Sequence, residues 1–419
     1  MDPALIATVV LFSVIGSALG MATGLIPGIH VNTLASVMLV AYPAMETSLA
    51  GIAPVEHVPI IVCSLIMSAS VVHSFMDFVP SVFIGAPDGE DALSMLPGHR
   101  LLHMGEGMKA VRSAAIGSLI GCSAAICLAI PLQIAMGSGA SDLLDRFTKT
   151  VLLGIIMLLF SNEYSKGRLS TCIACFLLSG AMGYAVMKLP IPAEGLLGEG
   201  TLLMPMLTGL FGLPMMLTAA SGGKMPKQRD DCKDPVGFVP GLKGVLMGTV
   251  AGWFPGITST VGATVSATVM PDRSPERFIA TVASIGTVTT ILSLVTLSIN
   301  GGGRSGTVIV IGQILGASIG GVASQAFVMM LIASAVASVI GYCATIGVGR
   351  ILSGRIGGSD QRTVNRIVIA ALIALVALTT GPWGMVVLAG STLIGFIPVA
   401  DDSGRIALCG CLMLPVLLM

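Results

Sequence analysis

The sequence predicts an all-α, polytopic integral membrane protein with about 10–14 transmembrane or re-entrant helices in two inverted repeats with broken helices. Three observations lead there: an apolar composition, a series of hydrophobic runs of spanning length, and a proline-glycine helix break that occurs once in each half. Of the 419 residues, 54% are apolar and 10% charged, with a mean hydropathy of +0.95. A soluble domain carries about 25% charged residues, so no soluble fold could hide this much apolar surface. The chain holds 53 glycines and 22 prolines, which are tolerated inside a membrane bundle because neighbouring helices satisfy the freed backbone groups. Lysine plus arginine equals aspartate plus glutamate at 21 each, and without a net field nucleic acid is excluded as a partner.

Along the chain, a first apolar run from Leu5 to Ala22 follows Asp2 and Pro3 without a basic leader, so it reads as a spanning helix and not as a cleaved signal peptide. It stops at Gly24-Leu-Ile-Pro27-Gly28, and the next run, Val31 to Tyr42, is too short to span alone. A long run from Val58 to Ile84 leads into Pro87-Asp88-Gly89-Glu90-Asp91 and then a basic segment with His99, Arg100, His103, Lys109 and Arg112. His99 and His103 are spaced for one helix face, which reads as a basic membrane-surface face because no glutamate completes a zinc pattern. Further runs at 113–136, 151–160, 169–187 and 202–220 precede the longest polar stretch, Ser221 to Pro235. That stretch divides the chain into a first repeat, 1–220, a connecting loop, 221–235, and a second repeat, 236–419. The second repeat opens with an apolar run that stops at Gly252-Trp-Phe-Pro255-Gly256, and runs at 278–299, 307–319 and 326–348 follow. Cys172-Ile-Ala-Cys175 lies inside an apolar run without a second ligand pair, and reads as core.

The two breaks share a Gly, Pro, Gly, Ile frame at an offset of 228 residues, each followed by small and hydroxyl side chains. Matched breaks in two halves are the strongest sequence pointer to a transporter binding site. Lysine and arginine are absent before the first break but include Lys224, Lys227, Arg229 and Lys243 before the second, so the halves read as inverted. A Pro-Gly break frees backbone N–H groups at the start of the next half-helix, and such dipole ends attract an anion. Two of them meeting from opposite leaflets would form a central anion site.

These residues resemble the TctA family, the large membrane subunit of tripartite tricarboxylate transporters. The Gly24–Gly28 break followed by Tyr42-Pro43, the segment Ser81 to Gly107 centred on Pro87, the segment Leu203 to Pro214, and the Gly252–Gly256 break carry the likeness, which fades beyond residue 260. Pro87 is followed by Asp88 where the family has Gly-Thr, and the second-half loop reads Asn300-Gly-Gly-Gly-Arg304-Ser-Gly. The resemblance implies a secondary permease for a small carboxylate, multi-pass in the cell membrane, using no cofactor beyond Na⁺ or H⁺ as coupling ion. Its partners would be membrane lipids and a small membrane subunit or further copies of itself; a branch working without accessory subunits stays open. The Pro-Gly frames also resemble polyprenyl-phosphate carrier translocases, whose cargo is a lipid phosphate.

Candidate site residues follow from position. Gly24, Pro27, Gly28, Gly252, Pro255 and Gly256 would shape the backbone of a substrate site. His30, Asn32, Thr33, Thr258, Ser259 and Thr260 lie just beyond the breaks, where they can hold cargo or cap a helix. Arg304, isolated among glycines, can clamp a carboxylate or phosphate or anchor a helix end. Asp77, deep in an apolar run, and Asp88 are candidates for ion coupling. No HExxH pair, nucleophile elbow or phosphate loop occurs, so an intramembrane enzyme ranks below transport.

Overall fold

The computed structural model describes the chain apart from residues 1, 27–29, 85–94, 197, 200, 219–223, 232–233, 255–256, 258, 304, 359, 402 and 419. Almost all of the described chain is helical. The first half contains α1 (Pro3–Leu25), α2 (Val31–Leu49), α3 (Val58–Met76), α4 (Phe78–Phe83), α5 (Met95–His103) and α6 (Gly107–Ala135). It continues with α7 (Ser141–Ser165), α8 (Leu169–Lys188), α9 (Leu203–Leu207) and α10 (Leu213–Thr218). The second half contains α11 (Val239–Trp253), α12 (Ser259–Val269), α13 (Pro275–Asn300), α14 (Gly306–Leu315), α15 (Gln325–Ile356), α16 (Gln361–Ala400) and α17 (Gly410–Leu417). Among the described residues, seven helical segments are long and apolar enough to cross a membrane. The protein is therefore an all-α polytopic membrane protein.

Two glycine stripes lock the centre of the bundle. On α1, Gly16, Gly20 and Gly24 face Leu65, Ala69 and His73 of α3, so closely that a Cβ on Gly16 or Gly20 would collide with an α3 carbonyl. On α11, Gly244, Gly248 and Gly252 face Ser284, Val288 and Leu292 of α13, where a Cβ would meet side-chain atoms first. Each glycine of one stripe is 228 residues from its counterpart, and each contact on the partner helix is 219 residues from its counterpart. Spacings of four on both helices mean that the residue numbers rise together, so both pairs run parallel. Small residues at such spacing let helices approach to backbone contact, where dispersion rather than the hydrophobic effect holds a membrane bundle together.

Hydrogen bonds carry the register across the bundle. Ser68 Oγ donates to the Ala333 carbonyl (3.4 Å) and Thr345 Oγ1 to that of Phe75 (3.1 Å), so α15 runs parallel to α3. Ser118 Oγ donates to Ala283 O (3.3 Å) and Gln133 Nε2 to Ser298 Oγ (3.0 Å), so α6 runs parallel to α13. Gly349 packs on Val111 and Met108, while the other end of α6 places Gln133 on Gly321 and Ala323 at the start of α15, so α6 and α15 are antiparallel. Helices α1, α3 and α15 thus point one way and α6, α11 and α13 the other. On the flank, Gly183 of α8 packs against Cys411 of α17. The stretch of α16 beyond its bend at Gly381 (φ 64°) puts Gly395 against Leu210.

The polar connector crosses one end of this core. Asp230 accepts from Arg112 Nε (2.7 Å) and Nη2 (3.0 Å) on α6 and from Arg350 Nε (2.9 Å) on α15. The Arg112 hydrogen bond, ahead of the one from Arg350, holds the Asp230 carboxyl below the usual carboxylate range. Gln228 Oε1 accepts from the Gly107 N–H (2.8 Å), and the Arg229 N–H donates to Gly105 O (2.8 Å).

Three sequence readings change. Helix α2 does not stop at Tyr42 but runs to Leu49, through Pro43, and the Thr47 and Ser48 hydroxyls bond back to the Pro43 and Ala44 carbonyls. Counting apolar residues alone misses a helix that continues on polar ones. The 58–84 run is divided at Asp77 into α3 and α4. Among the described side chains of α5, Arg100 and His103 are exposed, whereas His99 is half-buried with its Nε2 enclosed, because Leu101 and Leu102 drive that helix into the core. Cys172 and Cys175 are buried, as core residues should be.

Candidate functional site

Both proline-glycine segments interrupt helices: α1 ends at Leu25 and α2 begins at Val31, while α11 ends at Trp253 and α12 begins at Ser259. Pro27, Gly28, Pro255, Gly256, Thr258, Arg304 and Asp88 lie outside the described residues. The flanks of the first break form a polar cluster. Gly24 brings the α1 backbone against the His73 carbonyl and the Asp77 N–H of α3. Thr23 Oγ1 donates to Gly20 O (3.1 Å) and lies 3.1 Å from His73 Nδ1. The His73 ring stands 5.0 Å from that of His30, tilted by 51°. His30 caps α2, its Nδ1 accepting from the Asn32 N–H (3.1 Å).

Asn32 carries the cluster to the second half. Its Oδ1 accepts from the Thr307 N–H (3.0 Å), in the first turn of α14, filling one of the donors a helix start leaves open. Thr307 Oγ1 lies 3.0 Å from Ser305 Oγ and 3.4 Å from Ser70 Oγ of α3, and Ser305 is the N-cap of α14. Arg304 is the residue before that cap. Asp77 is 8% exposed and His73 5%, among apolar helices where buried polar groups survive only when bonded. Thr33, by contrast, is exposed.

The second break is built differently. Gly252 packs on Thr289 and Leu292 of α13, and Ser259 Oγ lies 3.4 Å from Thr289 Oγ1, so Thr289 touches both flanks. Ser259 and Thr260 are buried. The Trp253 indole N–H is buried and has no acceptor among the described residues. At the offsets set by the glycine stripes, His73 and Asp77 correspond to Leu292 and Thr296, and His30 to Thr258. The ionisable groups therefore belong to the first break alone.

The meeting of both breaks expected from the sequence turns on Pro27, Gly28, Pro255 and Gly256, which lie outside the described residues; among the described ones, the start of α2 meets the start of α14. His73, Thr23, Ser70, Ser305 and Thr307 were not singled out from the sequence. His73 was findable, since it lies four residues before Asp77 in the same apolar run. A cavity lined by Met216, Leu217, Arg362, Asn365, Arg366 and Ile369 lies elsewhere, between α10 and α16.

A many-helix membrane bundle with interrupted helices and a buried polar cluster between its halves is the architecture of a multi-pass permease. The model of the tripartite tricarboxylate transporter TctA family matches residues 10–409, and the protein belongs to that family. The match extends well past residue 260, where the quoted motifs end. The chain is 27% identical, over 338 residues, to an uncharacterized protein of Methanocaldococcus jannaschii, covering 79% of this chain and 78% of that one. No solved structure matches.

Proposed function

We propose that the protein is a secondary permease of the cell membrane that moves a small carboxylate anion by alternating access, coupled to an ion gradient. The observation that carries this reading is the buried cluster in which Asn32, at the first break, bonds the first turn of α14 beside Ser70 and Ser305. That cluster offers hydroxyl and amide groups at a helix start, with Arg304 next in sequence as a bidentate partner for a carboxylate. Family membership supports a tricarboxylate-type cargo. Two repeats, 1–220 and 236–419 joined by 221–235, are supported by the paired glycine stripes and by the opposed directions of α1, α3, α15 and α11, α13, α6. Such a pair of antiparallel repeats can rock about a fixed site. Asp77 and Asp88 are the carboxylates for a coupling Na⁺ or H⁺, and a small membrane subunit is the partner that a tripartite family supports.

Uptake into proteoliposomes tests the reading. Labelled citrate is expected to exchange against internal citrate, while Arg304→Ala lowers the rate by about tenfold or more, the scale of one lost charge-assisted bond, and Pro255→Ala lowers it by relaxing the helix break. Movement of a polyprenyl phosphate without citrate exchange would instead identify a lipid-carrier translocase, and unchanged rates in both variants would remove those residues from the site.

A further inference from the structure

We infer that the cavity between α10 and α16 binds the phosphate headgroup of an acidic phospholipid, held by Arg366 and Arg362. This does not depend on what the permease carries. The cavity measures about 210 Å³ and is lined by Met216 and Leu217 of α10 and by Arg362, Asn365, Arg366 and Ile369 of α16. Positions 362, 365, 366 and 369 recur at helical spacing, so they share one face of α16, with the two arginines one turn apart. Asn365 is the buried member of the set, and its Nδ2 donates to the Met216 carbonyl (3.2 Å), tying α16 to α10. Leu213, Met216, Leu372, Val376 and Leu388 form a small apolar core of their own around that tie.

Charge and depth together select the ligand. The part of α16 that is long and apolar enough to cross a membrane begins at Asn365. Arg362 therefore lies just before the apolar stretch and Arg366 in its first turn, where basic side chains reach the membrane interface. From residue 350 to 366 the chain holds Arg350, Arg355, Arg362 and Arg366 against the single acid Asp360. A segment with that excess faces the cytoplasm in multi-pass proteins, and the leaflet there carries acidic lipids. Asp360 accepts from the Thr363 hydroxyl (2.9 Å) at the start of its own helix, and the charge of Arg362 bears on it. Among the described residues no carboxylate pairs with Arg366, which is exposed. Arg366 is thus the principal ligand and Arg362 the second.

A guanidinium meets a phosphate through two parallel N–H bonds, and two such forks one turn apart can share the oxygens of one phosphate. The rest of the site suits an acyl chain. Ile369 lies one turn beyond Arg366, and the apolar side chains of Leu217 and Ile367 are exposed beside it. A free tricarboxylate would gain the arginines but set its remaining charges against Met216, Leu217 and Ile369, and desolvating unpaired charge is costly. A phospholipid is divided as the cavity is, with its charge at one end and its methylene groups at the other. The volume is below the roughly 300–1,000 Å³ of sites that enclose a drug-sized ligand, which fits a headgroup whose chains stay outside. Bound there, the lipid would brace the seam between α10 and α16 that Asn365 bridges.

Native mass spectrometry of the purified, delipidated protein in detergent tests this, with phosphatidylglycerol, phosphatidylcholine, inorganic phosphate and citrate as separate probes. The wild type is expected to bind phosphatidylglycerol in preference to phosphatidylcholine, and neither inorganic phosphate nor citrate at equal concentration should displace it. Arg366→Gln should weaken that binding by about fivefold or more, the scale of one basic side chain at an acidic membrane surface; with Arg362→Gln added, the preference should vanish. Arg366→Lys, which keeps the charge and loses the fork, should fall between wild type and Arg366→Gln. Arg355→Gln removes the same charge from the same segment but outside the cavity, and should leave binding unchanged. Equal binding of both lipids, equal losses in Arg355→Gln and Arg366→Gln, or displacement by inorganic phosphate would each overturn the inference, the last by assigning the cavity to a free anion. If Arg366→Gln does not fold, phosphatidylglycerol with a photoreactive headgroup decides the question in wild type. Crosslinks within residues 213–218 and 361–369 support the site, and crosslinks only elsewhere contradict it.

Discussion

Replacing Gly20 with leucine is expected to abolish recovery of folded protein. At this position a Cβ would meet the Ala69 carbonyl and Cα of α3, and a backbone cannot swing aside as a side-chain end can. Overpacking a tight contact costs about 1–3 kcal/mol or more, and here the strain would separate α1 from α3 along the whole Gly16–Gly24 stripe. Gly248→Leu in the second half should also lower recovery, since a Cβ there would meet the Val288 Cβ, fixed to its helix, with the Ile285 carbonyl just beyond. Gly51→Leu is the control, because Gly51 has open space around it. Size-exclusion profiles in detergent should show a monodisperse peak for wild type and Gly51→Leu and its loss for the other two. A well-folded Gly20→Leu protein would mean that α1 and α3 do not pack through these glycines.

The second large effect is expected at Asn32. Its Oδ1 reaches 275 residues along the chain to the Thr307 N–H, joining α2 to the start of α14. Asn32→Ala leaves a buried donor without that acceptor, a cost of about 1–3 kcal/mol, and it detaches the first break from Ser305 and Thr307. Citrate exchange should fall by about one to two orders of magnitude, the rate equivalent of that energy. Asn32→Asp, which keeps an acceptor at the same place, should restore part of the rate. Equal exchange in wild type and Asn32→Ala would show that this contact does not organise the site.

Much of the architecture was readable before any coordinates. Composition alone requires a membrane bundle, and the Gly-x-x-Pro-Gly segments mark both interruptions, because proline and glycine act locally on the backbone. The three-glycine stripes were equally present in the sequence, at the same offset as the breaks, but each glycine gains meaning only against the helix it meets. Contacts at long range were not readable. Nothing near Asn32 announces Thr307, and nothing in the polar connector announces that Asp230 joins Arg112 to Arg350. The length of α2 was missed because Glu46, Thr47 and Ser48 end the apolar run without ending the helix. The register of α1 on α3 and of α11 on α13 is likewise not encoded by local sequence. His73 is less conspicuous in the sequence than the charge of Asp77, and only its contacts with Thr23 and His30 bring it into the cluster.

Hydrogen–deuterium exchange with and without citrate tests most directly whether a carboxylate binds where α2 and α14 begin. The account expects citrate to slow amide exchange in peptides covering residues 30–34 and 304–308, with little change around the cavity at Arg362 and Arg366. Slowed exchange confined to the α10–α16 cavity, or no citrate-dependent change at the two helix starts in protein that exchanges citrate, would contradict it.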